Sequence, residues 1–465
     1  MPVGADEARY LSQNDAIMWM VEADPLLRST IVGVVLLDHA PRWDAVQRRV
    51  EHVLEHVPVL VEKVVPMPLH PTTLRWTKDT DFDLDYHLRR VVLPGEPDEQ
   101  GLFDHARTMA MSGFDRARPL WEFTLVEGLR GGRAGFIMKA HHVVTDGIGA
   151  VQLSAHLFDF EQGAAPPRRP KQRAAAEHVH HESALERWRE VVEHDIDGVV
   201  HLARKQAASV LPSLLHAITH PQETMSEVIE TARSIGRTVA PTFDLLSPVM
   251  TERKLASNFR AVDVPTRQLR DAAKAVGGTL NDGFLAGITG GLRRYHELHG
   301  ATVDELRVAM PISLREAEHD VGGNHVTVLR FKVPVGIADP GERITSLHQV
   351  AGSKRDERSL AHTEAIAGVL NAMPRGVIGS MLKRVDFLAS NVPGVPVPMY
   401  LAGAEVSHFY PFGPTAGSAV NVTLMSYRDT CCIGVNTDAA AIPDPDEFRA
   451  CLLEGFAEVL ALAGR

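Results

Sequence analysis

Gly135-Phe136-Ile137-Met138-Lys139-Ala140-His141-His142-Val143-Val144-Thr145-Asp146-Gly147 runs from a strand-like apolar segment into a turn, and residues 150–160 beyond it have helical spacing. Side chains alternate along a strand, so Phe136, Met138, Ala140 and His142 share one face and Ile137, Lys139 and His141 the other. At most one of the two histidines can face any given cavity. An imidazole at a strand end accepts a proton near neutrality, since its ordinary pKa is about 6.5, and such general-base help contributes about 10²- to 10⁴-fold to a rate. Asp146 is placed to cap the next helix or meet a cation rather than to complete a hydrolase triad. Gly147 and Gly149 permit a close backbone approach or a positive φ at the turn. The residues alone leave a structural histidine pair open. A metal is not expected, because adjacent strand residues diverge and no third ligand lies nearby.

Outward from this stretch, strand and helix signals interleave. Residues 31–37 form a β-branched run and 43–56 an amphipathic helix, and 135–142 is the strand just described. At 163–173 the sequence GAAPPRRPKQR offers no face to bury, and a boundary is placed there. Residues 183–205 have helical spacing, whereas 211–247 is broken by Pro212, Pro221 and Pro241. A second globular half starts near Asn258, with a short strand at 261–264, a helix at 266–276 ended by Gly277-Gly278, strands at 325–335 and 424–435, and a closing helix at 445–462. The fold class expected is α/β (α+β). Residues 1–162 form the first lobe, 163–250 a helical linker and 251–465 the second lobe.

The chain has 465 residues, 45% of them hydrophobic and 23% charged, which excludes disorder, collagen and coiled coil. Lys+Arg minus Asp+Glu is 48 − 59 = −11, so the basic field of a nucleic-acid binder is missing and no nucleic-acid partner is expected. Three cysteines, Cys431, Cys432 and Cys451, make neither a disulfide framework nor a four-ligand zinc site, and they fit a reducing compartment. Asp6, Glu7 and Arg9 precede any apolar stretch, so no export signal is expected and the cytoplasm is the expected location. Uncharged stretches at 206–222 and 406–427 are interrupted by prolines and glycines, and read as buried segments rather than membrane spans. Residues 366–385 carry apolar side chains at helical spacing, flanked by Arg375, Lys383 and Arg384. They suit core packing, the lining of an acyl tunnel, or a helix lying on a membrane. His178, His180 and His181 read as a solvated polar cluster.

The pattern HHxxxDG resembles the hallmark of the CoA-dependent acyltransferase superfamily, which includes chloramphenicol acetyltransferase and peptide-synthetase condensation domains. Further blocks resemble one family within it, the wax ester synthase/diacylglycerol acyltransferases. In the first half these are Leu11-Ser12-Gln13-Asn14-Asp15-Ala16, Phe82-Asp83-Leu84-Asp85-Tyr86-His87 and Pro119-Leu120-Trp121-Glu122. In the second half they are Thr279-Leu280-Asn281-Asp282, Pro311-Ile312-Ser313-Leu314-Arg315, Gly323-Asn324 and Ser390-Asn391-Val392-Pro393-Gly394, in the family's order. Val395 and Gly283-Phe284 depart from the usual pattern, which bears on substrate choice more than on reaction class.

The resemblance implies two chloramphenicol-acetyltransferase-like lobes with an active-site tunnel where they meet. It implies that His142 is the general base that deprotonates an acceptor alcohol as it attacks an acyl-CoA thioester, with His141 supporting it. Asp146 is implied to be structural, and Arg315 is taken as its partner. Gly147, Pro119, Leu120, Trp121, Asn281, Asp282, Ser390 and Asn391 are implied to contact substrate, though Asn281 and Asp282 suit a helix cap equally well. No cofactor or metal is expected, acyl-CoA being a co-substrate. The partners expected are acyl-CoA and a long-chain alcohol or diacylglycerol, with peripheral attachment to a membrane or lipid droplet left open. Two alternatives stand beside this reading: transfer to another alcohol or amine, or from a carrier-bound acyl donor; and a non-catalytic lipid- or CoA-binding member.

Overall fold

β-Branched and aromatic runs become the strands of two six-stranded sheets in this computed structural model, which describes residues 10–66, 74–144, 153–163, 245–313, 326–355 and 383–464. The first half contributes α1 (Gln13–Val21), β1 (Thr30–Leu37), α2 (Trp43–His56), β2 (Glu62–Pro66), β3 (Leu74–Lys78), α3 (Leu84–His87), β4 (Leu88–Val92), α4 (Glu99–Met111), β5 (Trp121–Glu127) and β6 (Ala134–His141). The second half begins with β7 (Ser257–Pro265), α5 (Thr266–Ala275), α6 (Leu280–Leu298), β8 (Glu305–Ser313), β9 (Val326–Pro334) and α7 (Pro340–Arg355). It ends with β10 (Phe387–Val395), β11 (Tyr400–Leu401), β12 (Ala404–Phe412), β13 (Val420–Tyr427), β14 (Thr430–Asp438) and α8 (Pro445–Leu460).

The first sheet has the order β11-β12-β1-β6-β5-β4 and the second β7-β14-β13-β10-β8-β9, while β2 and β3 pair by themselves. The division at residue 251 therefore needs a correction. β11 and β12, inside the expected second lobe, cross over and complete the first sheet. β12 runs antiparallel to β1, from Val32 opposite Phe412 to Leu37 opposite Val406, and so covers an edge that β1 would otherwise leave unpaired. The crossover also ties the sheets together. The Tyr427 hydroxyl donates to the Val406 carbonyl at 3.0 Å, and Phe259 stacks on Phe412 with ring centres 4.2 Å apart. Gly434 lets β14 approach β12, since a Cβ there would lie 1.9 Å from the Pro411 oxygen.

Residues 424–435, expected as one strand, are instead parts of two. β13 and β14 form a hairpin closed by Arg428-Asp429, with Arg428 at φ +53°. The turn escapes the sequence signal because it lacks the Asn-Gly or Asp-Gly pair that usually marks a two-residue loop.

α6 is helical despite four glycines because its N-terminus is well capped and its glycine face packs closely. The Thr279 hydroxyl accepts from Asp282 N–H while the Asp282 carboxylate accepts from Thr279 N–H, a reciprocal cap. A Cβ at Gly287 would lie 2.2 Å from the Phe456 ring of α8, so only a bare backbone allows that approach. One apolar cluster fills the space between the second sheet and α5, α6 and α8. A second joins the first sheet and α2 and α4 to Phe259, Met425 and Tyr427 from the second half.

Candidate active site

β6 lies in the middle of the first sheet, between β1 and β5. Its odd-numbered face packs toward α4, where a Cβ at Gly135 would meet Leu102 at 2.4 Å. Its even-numbered face, with Met138, Ala140 and then His142, lines a cavity of about 410 Å³. The alternation expected along this strand holds, and the two histidines part company at its end.

The cavity lies between the sheets. β1 contributes Gly33, β12 contributes Phe409, β8 contributes Ala309 and β10 contributes Ser390 and Asn391. Its size suits a small-molecule site, and its walls are largely apolar. His142 is anchored by its backbone, whose N–H donates to the Ser29 carbonyl at 2.9 Å; Ser29 also lines the cavity.

His141 turns the other way and is only 2% exposed. Its Nδ1 accepts from Val143 N–H at 3.1 Å, which puts the ring proton on Nε2, 2.9 Å from Glu22 Oε1. Glu22 also accepts from Ser29 N–H at 2.5 Å and from Arg116 at 3.1 Å. Burial raises the Glu22 pKa, but His141, Ser29 and Arg116 together outweigh it and hold the carboxyl below its ordinary value. Glu22 was not among the expected site residues. Its one visible sign is a carboxylate directly after the apolar end of α1. Since Glu22 binds His141 and Ser29 at once, it fixes both the strand end and the loop that holds His142.

Beside His141 on the same face, the buried Lys139 ammonium lies 3.3 Å from Glu122 and 4.4 Å from the centre of the Phe114 ring. Burial lowers the Lys139 pKa, and Glu122 works against that shift.

The block Pro119-Leu120-Trp121 does not line this cavity, contrary to the expected channel-lining role. Trp121 is fully buried, donates Nε1–H to the Leu60 carbonyl at 2.7 Å and stacks on His87. Leu120 accepts from His141 N–H at 2.9 Å, so this block braces the histidine strand from behind. Asn281 and Asp282 also lie outside the cavity lining; Asp282 serves the α6 cap and meets His348 at 2.8 Å. Ser390 and Asn391 do line it. Gly394 has a steric reason, since a Cβ there would fall 1.4 Å from the Ser426 oxygen. Asp146, Gly147, Arg315, the histidines at 178, 180 and 181, and residues 366–382 lie outside the described residues.

None of Cys431, Cys432 and Cys451 lines the cavity, and all three are buried and free. Burial pushes the Cys432 thiol up to about 12 and raises the other two as well. Thiols of that kind stay protonated at neutral pH and make poor nucleophiles. Among the described residues, His52, Glu55 and His56 of α2 are close enough to share an ion, and none of them lines the cavity. No described helix is long and apolar enough to cross a membrane.

Residues 10–284 match the family model for the wax ester synthase/diacylglycerol acyltransferase catalytic domain, and residues 322–459 match that for its C-terminal domain. A Mycobacterium tuberculosis protein provisionally named diacylglycerol O-acyltransferase is 36% identical over 465 residues, spanning 97% of this chain and 91% of its own. A second one from that organism is 27% identical over 480 residues, spanning 98% of each chain. Among solved structures, the wax ester synthase/diacylglycerol acyltransferase of Marinobacter aquaeolei superposes with a TM-score of 0.65 at 20% identity, over 98% of this chain and 100% of that one. The starter condensation domain of rhizomide synthetase, in complex with C8-CoA and Leu-SNAC, gives 0.61 at 13% identity, over 98% and 95%. At these identities the two superpositions speak for the two-lobed fold alone.

Proposed function

Since the chain belongs to the wax ester synthase/diacylglycerol acyltransferase family, we propose that this acyltransferase moves a fatty acyl group from acyl-CoA to a long-chain alcohol or diacylglycerol, with His142 as general base. The observation that carries the reading is the position of His142 on the wall of a largely apolar cavity between the two sheets. The acceptor hydroxyl gives its proton to His142 as its oxygen attacks the thioester carbonyl. The C–S bond then breaks, an ester forms, and the proton passes to the departing CoA sulfur.

Direct transfer in a ternary complex fits the absence of any cysteine from the described cavity lining. His141 acts as a positioning residue: held by Glu22, it keeps the end of β6 in register so that His142 meets the cavity. The apolar walls would exclude bulk water, which otherwise competes for the thioester. Acyl-CoA as donor is in keeping with the CoA ligand named for the condensation-domain neighbour.

The test is an assay of purified protein with acyl-CoA against hexadecanol and dioleoylglycerol, following free thiol and ester together. His142→Ala is expected to lower ester formation by about 10²-fold or more while leaving the far-ultraviolet dichroism unchanged. Thiol release without ester in the unmodified protein, or full ester yield from His142→Ala, would refute the proposal.

A further inference from the structure

Among the described residues that line the cavity there is no aspartate, glutamate or lysine, and the only permanently charged side chain is Arg330. Arg330 sits on β9, opposite Ala309 of β8, and Ala309 in turn lies opposite Leu388 of β10. All three residues reach the cavity, so the guanidinium stands at the end of a row across the second sheet. No carboxylate, carbonyl or hydroxyl among the described residues accepts a hydrogen bond from it. Burial first, and then the like charge of Arg307, lower its pKa from the ordinary arginine value. An arginine keeps its proton in such a setting, so no described residue of this apolar wall compensates its positive charge.

The other polar groups on the wall do not supply a counter-charge. The Asn421 amide donates to the Pro414 carbonyl, the Thr423 hydroxyl to Asn421 and the Ser418 hydroxyl to the Thr415 carbonyl. They are turned to the protein's own backbone and to one another. A protein keeps a buried charge without a partner at a stability penalty, and such residues mark places where a ligand brings the partner. A planar guanidinium fork is suited to the paired oxygens of a phosphate or carboxylate.

We propose that Arg330 is an anion anchor in this cavity, binding a phosphate or carboxylate group carried by one of the two substrates whose apolar part occupies the same space. The inference rests on the acyl-transfer reading and adds to it a specificity determinant. The anionic group has two possible sources, the nucleotide end of acyl-CoA or an acidic group on the acceptor, and substrate pairs separate them. For the donor, palmitoyl-CoA is compared with palmitoyl-N-acetylcysteamine, a thioester without phosphate. For the acceptor, 16-hydroxyhexadecanoate is compared with hexadecanol.

In Arg330→Gln, the KM of the charged member of one pair is expected to rise about tenfold relative to its uncharged counterpart, and Arg330→Lys to recover part of that difference. A rise within the donor pair assigns the anchor to CoA, and a rise within the acceptor pair assigns it to the acceptor. Binding is read without turnover from thermal midpoints. CoA or 16-hydroxyhexadecanoate should raise the midpoint of the unmodified protein and fail to raise that of Arg330→Gln. Ligand-free Arg330→Gln should melt no lower than the unmodified protein, because a buried unpaired charge is gone. The proposal is overturned if both ligands shift both proteins equally, if kcat falls for all four substrates with KM unchanged, or if ligand-free Arg330→Gln is markedly less stable. If the unmodified protein turns over none of the pairs, the acyl-transfer reading fails, and the midpoint shifts still decide the role of Arg330.

Discussion

Replacing Glu22 probes how the two adjacent histidines are held apart. Its carboxylate is nearly enclosed, 10% exposed as a side chain, and meets His141 Nε2 at 2.9 Å, Ser29 N–H at 2.5 Å and Arg116 at 3.1 Å. Glu22→Ala leaves the Ser29 N–H buried without its acceptor and removes the carboxylate that lies 2.9 Å from His141 Nε2, which costs about 3 kcal/mol. Glu22→Gln keeps a neutral acceptor and should cost about 1 to 2 kcal/mol. A double-mutant cycle with His141→Ala should return a coupling of about 1 to 2 kcal/mol, read from guanidinium unfolding midpoints.

The pH dependence has a definite sign. The carboxyl is held below its ordinary value of 4.5, so the unfolded chain takes up this proton first as acid is added. The stability that Glu22 contributes is therefore fully present above about pH 4.5 and disappears as pH falls through the lower, folded-state value. The gap between the unmodified protein and Glu22→Gln should close in acid, as pH falls below about 4.5. A coupling near zero at pH 7, or a gap that widens as pH falls, would refute the claim that this carboxylate holds His141.

Gly33→Val fills the cavity from β1, where even a Cβ would come within 2.8 Å of Phe409 and 3.1 Å of Met138. The chain-length optimum in an acyl-CoA series should shorten, with each excluded methylene losing about 0.8 kcal/mol, or about fourfold in kcat/KM; an unchanged profile counts against the cavity as the acyl site. Gly394→Ala forces a Cβ onto the Ser426 oxygen and should lower unfolding stability by about 3 kcal/mol, measured by chemical denaturation. Asp282→Ala removes the α6 cap and the His348 contact, so it should lower stability by about 1 to 2 kcal/mol yet keep kcat within about threefold. A collapse of kcat at full folding would return Asp282 to the substrate contacts.

Local pattern made much of the fold legible. Residues 43–56 were read as a helix from apolar spacing and are α2, and 266–276 differs from α5 by a single residue at its end. Alternation along β6 is enough to separate His141 from His142, because a strand sends neighbouring side chains to opposite faces. The β13–β14 hairpin was hidden, since Arg428-Asp429 carries none of the usual turn chemistry.

The site was legible only where its residues sit in ordered blocks. His142, Ser390 and Asn391 reach the cavity, whereas Leu120, Trp121 and Asp282 brace or cap elements around it, and Pro119 and Asn281 lie outside its lining. A family block records that a residue type is needed, and a buried bracing side chain is needed as much as one that touches substrate. Glu22 and Arg330 belong to no block. Each gains its meaning from groups far away in sequence, Glu22 from His141 and Arg116, and Arg330 from a cavity wall without a carboxylate.

The strands at β1, β6 and β9, the helices α2, α5 and α8 and the separation of His141 from His142 along β6 followed from the amino-acid sequence, because they depend on neighbours a few residues apart. The crossover of β12 into the first sheet, the clamp on His141 and the placing of the Arg330 charge on the cavity wall were settled by tertiary structure. Each depends on which distant segments exclude water together, and no local period encodes that.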